Sequence, residues 1–327
     1  MKITGVSVYR VPLTSHETYY MSDGKACATV DTVVVRIDTD ADITGWGEVC
    51  PIPHYLPAYA GGVAPAIAEL ENILIGGDPL GAEALMARCD AWLPDHRYAK
   101  SALDIACCDI TGKAAGMPLY QLLGGKLADR VPTYHSITCT DPERMAEIAL
   151  AAKEQGIRQF QVKVGADANW QKDVARIRAV REAVGEGFVV YADWNNGATT
   201  YDAIRVGHAV KDLDIMLEQP CENLAGIAEV RRNTQLPMKV DESGHDFQSL
   251  LEAHALGCMD VVALKLSKFG GLTKLRRTRD LCLHQKTMMV IEDTWGSDIA
   301  TAAAVHLAMT VPPKFLLNVC DLSGYVS

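Results

Sequence analysis

Five charged side chains follow five successive apolar runs in the second half of the chain. They are Lys163, Asp193, Glu218, Asp241 and Lys265, and between 23 and 30 residues separate each from the next. One charge after a buried strand is ordinary solvation, but five in succession indicate a shared site. Three carboxylates brought together would repel one another unless a cation lay between them, and oxygen ligands without His or Cys favour magnesium. The sequence therefore predicts that Asp193, Glu218 and Asp241 bind Mg²⁺.

The two lysines come from runs on either side of the three carboxylates, so we expect them to face each other across the metal. The proton next to a carboxylate is very weakly acidic, and its removal requires a positioned base and a cation that holds the developing charge. A lysine beside Mg²⁺ and a second cationic group has a lowered pKa, which makes it a usable base near neutral pH. Lys163 and Lys265 are therefore the predicted catalytic acid/base residues.

Eight short apolar runs after about residue 126 would position these side chains. Amphipathic helical stretches separate the runs, and buried parallel strands have such continuous apolar sequences. The runs are VPTYHSIT, QFQVKV, FVVYAD, DIMLEQ, PMKVDES, VVALKLS, TMMVIED and FLLNVC. Eight β-α units in about 200 residues predict an α/β fold, a (β/α)8-type barrel over residues 126–327.

The first 125 residues have a different pattern and predict an α+β capping domain. Residues 1 to about 50 alternate apolar and polar in two runs, which indicates antiparallel strands, and the stretch from Gly62 to Leu123 has helical spacing. At the other end, the chain stops at Ser327, about seven residues beyond FLLNVC. Barrels of this kind usually close with a helix there, so we expect either a truncated protein or a tail outside this sequence.

Composition excludes several classes of protein. The net charge is −10 with a pI near 5.4, and no basic run is present, so nucleic acid is not expected as a partner. The N-terminus lacks the pattern of a signal peptide and no window reaches 18 apolar residues, which predicts a cytoplasmic protein without membrane spans. The ten cysteines lie mostly singly in apolar patterns, so we expect reduced core thiols rather than disulfides.

Six motifs together resemble the enolase superfamily, in its muconate lactonizing or mandelate racemase-like branch. They are QVKVG at 161–165, ADWN at 192–195, EQP at 218–220, VDES at 240–243, LKLSKFGG at 264–271 and GWGE at 45–48. The resemblance implies the roles already given for the lysines and carboxylates, and it implies a homo-oligomer. Gln161 takes the place of the first lysine of the family's KxK motif, so only neutral hydrogen bonding remains at that position. No histidine follows the seventh strand, which disfavours the histidine-based racemase arrangement.

Further residues are predicted to support the site or to contact substrate. Asn195 is expected to support the metal shell, Glu242 to pair with a lysine, and Lys268 to bond nearby carboxylates or to have a structural role. The polar segment from Thr14 to Lys25 is interpreted as a mobile lid that brings Tyr20 to the site. The predicted substrate contacts are Tyr55, Trp194, Gln161, Asp293 and Trp295.

The two-lysine arrangement allows dehydration, epimerisation or cycloisomerisation of a carboxylate substrate, since all begin with the same proton removal. PIPHYLPAYAGG and EDTWGSD resemble members that act on proline derivatives, which favours dehydration of a 3-hydroxyproline or 2-epimerisation of a proline derivative. The end of the eighth run, Asn318 to Cys320, supplies no aromatic face for a quaternary ammonium, so the betaine substrate is disfavoured. A dipeptide epimerase or cycloisomerase, and a catalytically silent barrel that acts as a binding module, stay as alternatives.

Overall fold

An antiparallel sheet packed on helices forms the N-terminal part of this computed structural model, which describes residues 1–53 and 56–327. The strands are β1 (Ile3–Tyr20), β2 (Ala26–Thr39) and β3 (Thr44–Val49), paired in that order. The helices are α1 (Val63–Ala68), α2 (Glu71–Leu74), α3 (Ala82–Trp92), α4 (Arg97–Ala115) and α5 (Leu119–Leu122). Val33, Val35 and Ile37 alternate along β2 and are buried against the helices, as the period of two predicts.

Two glycines of the GWGE motif let β3 lie directly on α4. A Cβ atom at Gly47 would lie 1.9 Å from the carbonyl oxygen of Ala102, and one at Gly45 would lie 2.2 Å from that of Ala106. Any larger residue would therefore push the helix away from the sheet. The strand and the helix consequently form one closely packed layer.

Eight parallel strands form the second sheet, and each coincides with a predicted run. They are β4 (His135–Ile137), β5 (Gln159–Lys163), β6 (Val189–Asp193), β7 (Met216–Glu218), β8 (Met238–Val240), β9 (Val261–Lys265), β10 (Met288–Glu292) and β11 (Leu316–Val319). The order in the sheet follows the chain. A parallel bridge between Thr133 and Val319 joins the last strand to the segment before β4, which closes the curled sheet.

Helices connect the barrel strands and cover the sheet. They are α6 (Pro142–Glu154), α7 (Trp170–Val184), α8 (Thr200–Ala209), α9 (Leu224–Thr234), α10 (Phe247–Ala255), α11 (Leu266–Phe269), α12 (Leu272–Gln285) and α13 (Asp298–Ala308). Their apolar faces and the strands share one large hydrophobic core. The fold is therefore a (β/α)8-type barrel with an N-terminal α+β domain, and the predicted fold class is confirmed.

Most of Thr14–Lys25, the segment interpreted as a mobile lid, belongs to a β-hairpin, and its mobility stays a prediction. Strand β1 continues to Tyr20, and only a short turn at Ser22–Gly24 separates it from β2. Successive side chains of a strand point to opposite faces. Tyr20 therefore lies 47% exposed, whereas Tyr19 is 4% exposed and turns toward the barrel.

The cysteines lie in the core as free thiols, as the sequence predicts. All ten cysteines are unpaired and buried. Within residues 1–53 and 56–327, no helix is long and apolar enough to cross a membrane.

Candidate active site

The five charged residues predicted to act together lie at the carboxyl ends of five neighbouring strands. Lys163 is opposite Asp193, and Asp193 is opposite Glu218, in the register of β5, β6 and β7. Asp241 directly follows β8, and Lys265 ends β9. All five side chains are at most 6% exposed. The parallel register therefore converts a spacing of about 25 residues along the chain into adjacency in space.

Both lysines contact the carboxylates beside them. The Lys163 ammonium donates to Asp193 Oδ2 and, over 2.9 Å, to Asn195 Oδ1, while the Lys265 ammonium donates to Asp241 Oδ2. Burial lowers the pKa of Lys265, but Asp241 and other nearby carboxylates raise it more, so the pKa lies well above its ordinary value. The sequence analysis expects a lowered lysine pKa, but that expectation applies when Mg²⁺ is bound to those same carboxylates.

Glu218 is fully buried, and a buried lysine lies beside it. Burial, followed by the negative charge of Asp193, raises the pKa of Glu218 to about 8. Lys239 Nζ lies 2.8 Å from Glu218 Oε1, in an ion pair whose angle is outside hydrogen-bond geometry. The same ammonium lies 4.6 Å from the ring centre of Tyr191, so an aromatic face also stabilises its charge.

Gln161 links two of the carboxylates through its amide. Its Nε2 donates to Asp193 Oδ2 over 3.0 Å and to Glu218 Oε2 over 2.8 Å, and its Oε1 accepts from the Ser136 hydroxyl. This is the neutral hydrogen bonding predicted for the position. The amide also borders the cavity described below, where it was predicted to contact substrate.

The three residues predicted to support the site have distinct partners. Lys268 Nζ lies 2.9 Å from Asp241 Oδ1 and also donates to two backbone carbonyls, so it holds the carboxylate in place. The Asn195 amide donates to Glu242 Oε1 over 3.0 Å, and its backbone N–H donates to Asp193 Oδ1 over 2.8 Å. Glu242 therefore bonds an asparagine, and the positive charge of Lys265 also acts on it, while its predicted pairing with a lysine stays a prediction. Burial, followed by the charge of Asp241, raises the pKa of Glu242 to about 7.

A cavity lies over this row of side chains. Lys163, Asp193, Asp241 and Lys265 border it from below. Four aromatic residues also border it: Tyr19 from the hairpin, Tyr134 from the segment before β4, Trp295 from the segment after β10, and Tyr325 from the segment after β11. The ring centres of Tyr19 and Trp295 are 5.5 Å apart in an edge-to-face contact, and those of Trp295 and Tyr325 are 6.1 Å apart. Asn318 to Cys320 supply no aromatic ring, as stated from sequence, but Tyr325 a few residues further along does, so the argument against a betaine substrate loses its basis.

The other predicted substrate contacts occupy different positions in the structure. Trp194 is 1% exposed and belongs to the barrel core, where it packs beside Gly165, so it does not border the cavity. Asp293 borders the cavity, but its carboxylate accepts from the Ser267 backbone N–H and hydroxyl and from the Thr294 N–H. Burial raises the pKa of Asp293 to about 6 in spite of these bonds. Tyr55 lies outside the described residues.

The carboxylates suit a hard cation in chemistry, although they do not form a ready cluster. In the described part of the chain, no group of three or more His, Cys, Asp or Glu side chains stands at metal-binding spacing. Lysine ammonium groups and the Gln161 amide lie against the carboxylate oxygens instead. Three buried carboxylates on adjacent strands, each matched by a positive group, nevertheless provide the oxygen ligands that magnesium prefers.

The fold and this row of residues define the class of protein. Residues 3–124 match the family model of the mandelate racemase/muconate lactonizing enzyme N-terminal domain, and residues 144–325 match that of the enolase C-terminal domain-like family. The chain belongs to the enolase superfamily.

Among its relatives, cis-3-hydroxy-L-proline dehydratase from Roseibium aggregatum is 43% identical over 99% of this chain and 89% of its own length. N-succinyl-L-Arg/Lys racemase from Bacillus cereus is 32% identical over 99% and 88%. A mandelate racemase/muconate lactonizing enzyme from Roseovarius nubinhibens ISM has a TM-score of 0.95 at 38% identity, over 100% of this chain and 88% of its own. A superfamily member from the same organism, solved in complex with magnesium, has a TM-score of 0.93 at 36% identity over 100% and 88%. The named relatives are dehydratases, racemases, epimerases and cycloisomerases, so this chain is an enzyme of that superfamily.

Several residues of the site escaped the sequence analysis. Lys239 stands two residues before Asp241 and Tyr191 two before Asp193, so strand alternation places them on the same face as the predicted ligands. That signal was available. Tyr19 and Tyr325 come from separate segments that only the folded chain brings to the cavity, and no local pattern marks them.

Proposed function

We propose that this chain is a magnesium-dependent enzyme that removes the proton next to a carboxylate and dehydrates cis-3-hydroxy-L-proline. One observation carries the proposal: Lys163 and Lys265 lie on opposite sides of three buried carboxylates and border the same cavity. The name of the dehydratase that is 43% identical over nearly the whole chain supports the choice of substrate.

Asp193, Glu218 and Asp241 would hold the metal. Their oxygen-only character supports magnesium, and so does the raised pKa of Glu218, because buried carboxylates that repel one another are stabilised by a cation. The magnesium complex of a solved relative supports the same choice. When bound, magnesium supplies positive charge that stabilises the negative charge developing on the substrate carboxylate.

The stereochemistry of the substrate fits two bases on opposite faces. In the cis isomer the hydroxyl and the carboxylate share one face of the ring, so the α-hydrogen lies on the face opposite to the hydroxyl. One lysine can then take the α-proton while the other, as an ammonium, gives a proton to the departing hydroxyl. The Cα–H and C3–O bonds break, a C2–C3 double bond forms, and water leaves. The resulting enamine tautomerises to a cyclic imine.

The cavity wall supports a compact ring substrate. Tyr19, Trp295 and Tyr325 present aromatic surface above the polar floor. The indole Nε1 of Trp295 is buried and has no hydrogen-bond partner within the described residues, so it is available to a polar group of the ligand.

The same aromatic residues favour a second candidate, 2-epimerisation of a proline derivative. Aromatic rings suit a cationic ring nitrogen, including a quaternary one. A dipeptide epimerase is less well supported, because no arginine borders the cavity among the described residues. The neighbouring acids Glu292 and Asp293 are also occupied, by the Tyr134 hydroxyl and by Ser267.

The test is incubation of the purified enzyme with cis- and trans-3-hydroxy-L-proline and with a proline betaine in D₂O, with and without Mg²⁺. We expect cyclic imine from the cis isomer only, because the trans isomer places the α-hydrogen and hydroxyl on the same face. Full activity after exhaustive chelation would contradict the metal assignment. Epimerisation of the betaine without dehydration of the cis isomer would establish the second candidate instead.

We also propose that the enzyme is a cytoplasmic homo-oligomer. The support is the family resemblance and the sequence pattern. Size-exclusion chromatography with light scattering at several protein concentrations tests the oligomer, and a monomer at every concentration would contradict it.

A further inference from the structure

The barrel helices α12 and α13 begin without a side-chain cap from their own segment. The four N–H groups at the start of a helix need acceptors, and a side chain at the N-cap usually supplies one. Asn169, Thr199, Asn223 and Asp246 do this for α7, α8, α9 and α10. Gly271 and Ser297, which precede α12 and α13, make no such side-chain bond.

Glu48 of the N-terminal domain caps α13. Its Oε1 accepts from the Ser297 N–H over 2.8 Å and its Oε2 accepts from the Ala300 N–H over 2.9 Å. The Thr32 hydroxyl donates to the same carboxylate over 2.7 Å. Glu48 is fully buried, and no lysine, arginine or histidine among residues 1–53 and 56–327 forms an ion pair with it. A buried carboxylate without a counter-ion is stabilised here by the positive end of the helix.

Asp104 of α4 caps α12 in the same way. Its Oδ2 accepts from the Thr273 N–H over 2.9 Å, and its Oδ1 accepts from the Thr273 hydroxyl. Gly271 has a φ of 108° and a Cβ atom there would lie 2.4 Å from Asp104 Oδ2, so only glycine permits this approach. Asp104 is fully buried, as Glu48 is.

The two capped helices begin a few residues after side chains of the site. Trp295 lies two residues before Ser297, where Glu48 binds, and its ring forms part of the cavity wall. Thr273 follows the segment that carries Lys265 and Lys268. Glu48 and Asp104 lie on β3 and α4, which Gly45 and Gly47 hold in direct backbone contact, so the two carboxylates move as one unit.

We propose that Glu48 and Asp104, here called the cross-domain caps, are positioning residues through which the N-terminal domain sets the catalytic geometry. Glu48 fixes the Trp295 wall, and Asp104 fixes the segment that carries Lys265. Neither carboxylate borders the cavity, so both act through other residues. The inference rests on the proposed function for its kinetic consequences, but the structural link can be measured without substrate.

The kinetic test compares Glu48→Ala with Asn223→Ala, which removes the cap of α9 and touches neither the cavity nor the other domain. We expect Glu48→Ala to lower kcat/KM by about 10- to 100-fold, because small displacements of positioning groups have effects of that size. Asn223→Ala should stay within about twofold. In a Trp295→Phe background, the additional effect of Glu48→Ala should largely disappear, since both changes act on the same wall.

The substrate-free test is amide hydrogen exchange of residues 294–301 and 271–275. We expect faster exchange of the first segment in Glu48→Ala and of the second in Asp104→Ala, with the opposite segment unchanged. If Glu48→Ala fails to fold, Glu48→Gln serves in its place. The glutamine amide keeps one oxygen that can accept from a helix N–H group, but its NH₂ group is a donor and cannot accept from the other N–H group. Unchanged exchange at 294–301, or additive kinetic effects of Glu48 and Trp295, would overturn the proposal. Inactivity of the wild type on hydroxyproline together with the expected exchange pattern would overturn only the proposed substrate.

Discussion

Barrel helices α7 to α10 are capped by their own segments, whereas α12 and α13 are capped by the N-terminal domain. The first half, from β5 to α10, carries the three carboxylates and Lys163. The second half, from β9 to α13, carries Lys265 and Trp295 and depends on the cross-domain caps. The comparison indicates that the proposed metal site is built within the barrel, whereas the second base and the substrate wall require both domains.

The largest effect is expected from the two lysines, one in each half. Lys163→Ala and Lys265→Ala should each lower kcat by about 10²- to 10⁴-fold, since each removes a general acid or base. In D₂O, each variant should lose α-proton exchange from one stereoisomer of a substrate and retain it from the other. The measurement is proton NMR of both stereoisomers with time.

The exposed lysine Lys211 provides the matched control for the lysine variants. Lys211→Ala should leave both the rate and the exchange pattern unchanged. Equal loss of exchange from both stereoisomers in a single lysine variant would mean that the lysines do not serve opposite faces.

Magnesium should stabilise the folded enzyme, and this effect should not depend on Glu48. A ligand at 100 times its Kd raises the free energy of unfolding by about 2.7 kcal/mol. We expect a stabilisation of this order in the wild type and in Glu48→Ala. The three carboxylates lie between β5 and α10, in the part of the barrel whose helices α7 to α10 do not depend on Glu48 for their caps; this part is called the self-capped half. Asp193→Asn should lose most of the stabilisation, as measured by thermal unfolding with and without Mg²⁺. Loss of the magnesium effect in Glu48→Ala would contradict the division into two halves.

The cap at Asp104 should make stability depend on pH. Burial raises the pKa of Asp104 to about 6, although its bonds to Thr273 and the nearby Lys274 lower it. The folded chain therefore binds this proton more tightly than the unfolded chain, whose aspartate titrates near 4, so ionisation costs stability as the pH rises through 6. Between pH 7.5 and pH 5, the wild type should gain about 1 kcal/mol relative to Asp104→Asn. Denaturant unfolding of both proteins at the two pH values measures the difference.

Two cysteine thiols also lie near Asp104. Cys107 and Cys108 on α4 have pKa values raised above 9 by burial, so neither titrates between pH 5 and 7.5. Groups elsewhere titrate in both proteins and cancel in the difference. An identical pH dependence in wild type and Asp104→Asn would mean that Asp104 does not titrate in this range.

The smallest effect is expected from an ordinary cap in the self-capped half. Thr199→Ala removes a bond of 3.1 Å to the Asp202 N–H at an exposed helix start, and should cost about 0.5 to 1 kcal/mol of unfolding free energy. Its kcat/KM should not change, because the loop before α8 has its own bonds to the strand ends. A kinetic effect as large as that of Glu48→Ala would remove the distinction between the halves.

Much of the fold could be predicted because buried parallel strands leave continuous apolar runs of limited length. All eight runs became strands, and the charged residue that ended each of five runs stood at the same edge of the sheet. The direction in which a side chain points could not be predicted from sequence where the secondary structure of its segment was not known. Tyr20 was named for the segment interpreted as a lid, but strand alternation directs its neighbour Tyr19 to the cavity.

The cross-domain caps show what local sequence could not reveal. Glu48 is part of the GWGE motif, but the backbone N–H groups that donate to its carboxylate lie about 250 residues further along the chain. Gly271 and Ser297 show a missing cap only when the helix boundaries are known. Trp194 was misplaced for a related reason, since the residue after a strand can turn inward to the core or toward the cavity, and here the core accommodates it.

The contact between Asp104 and Gly271 also constrains how the two domains can change in evolution or be exchanged by engineering. An N-terminal domain taken from a relative would need an acid of matching length at position 104, and a barrel taken from a relative would need glycine at position 271. A chimera that met only one of these conditions would place a carboxylate against a methyl group or leave a helix end without an acceptor. The two positions therefore form a compatibility pair that must be inherited together.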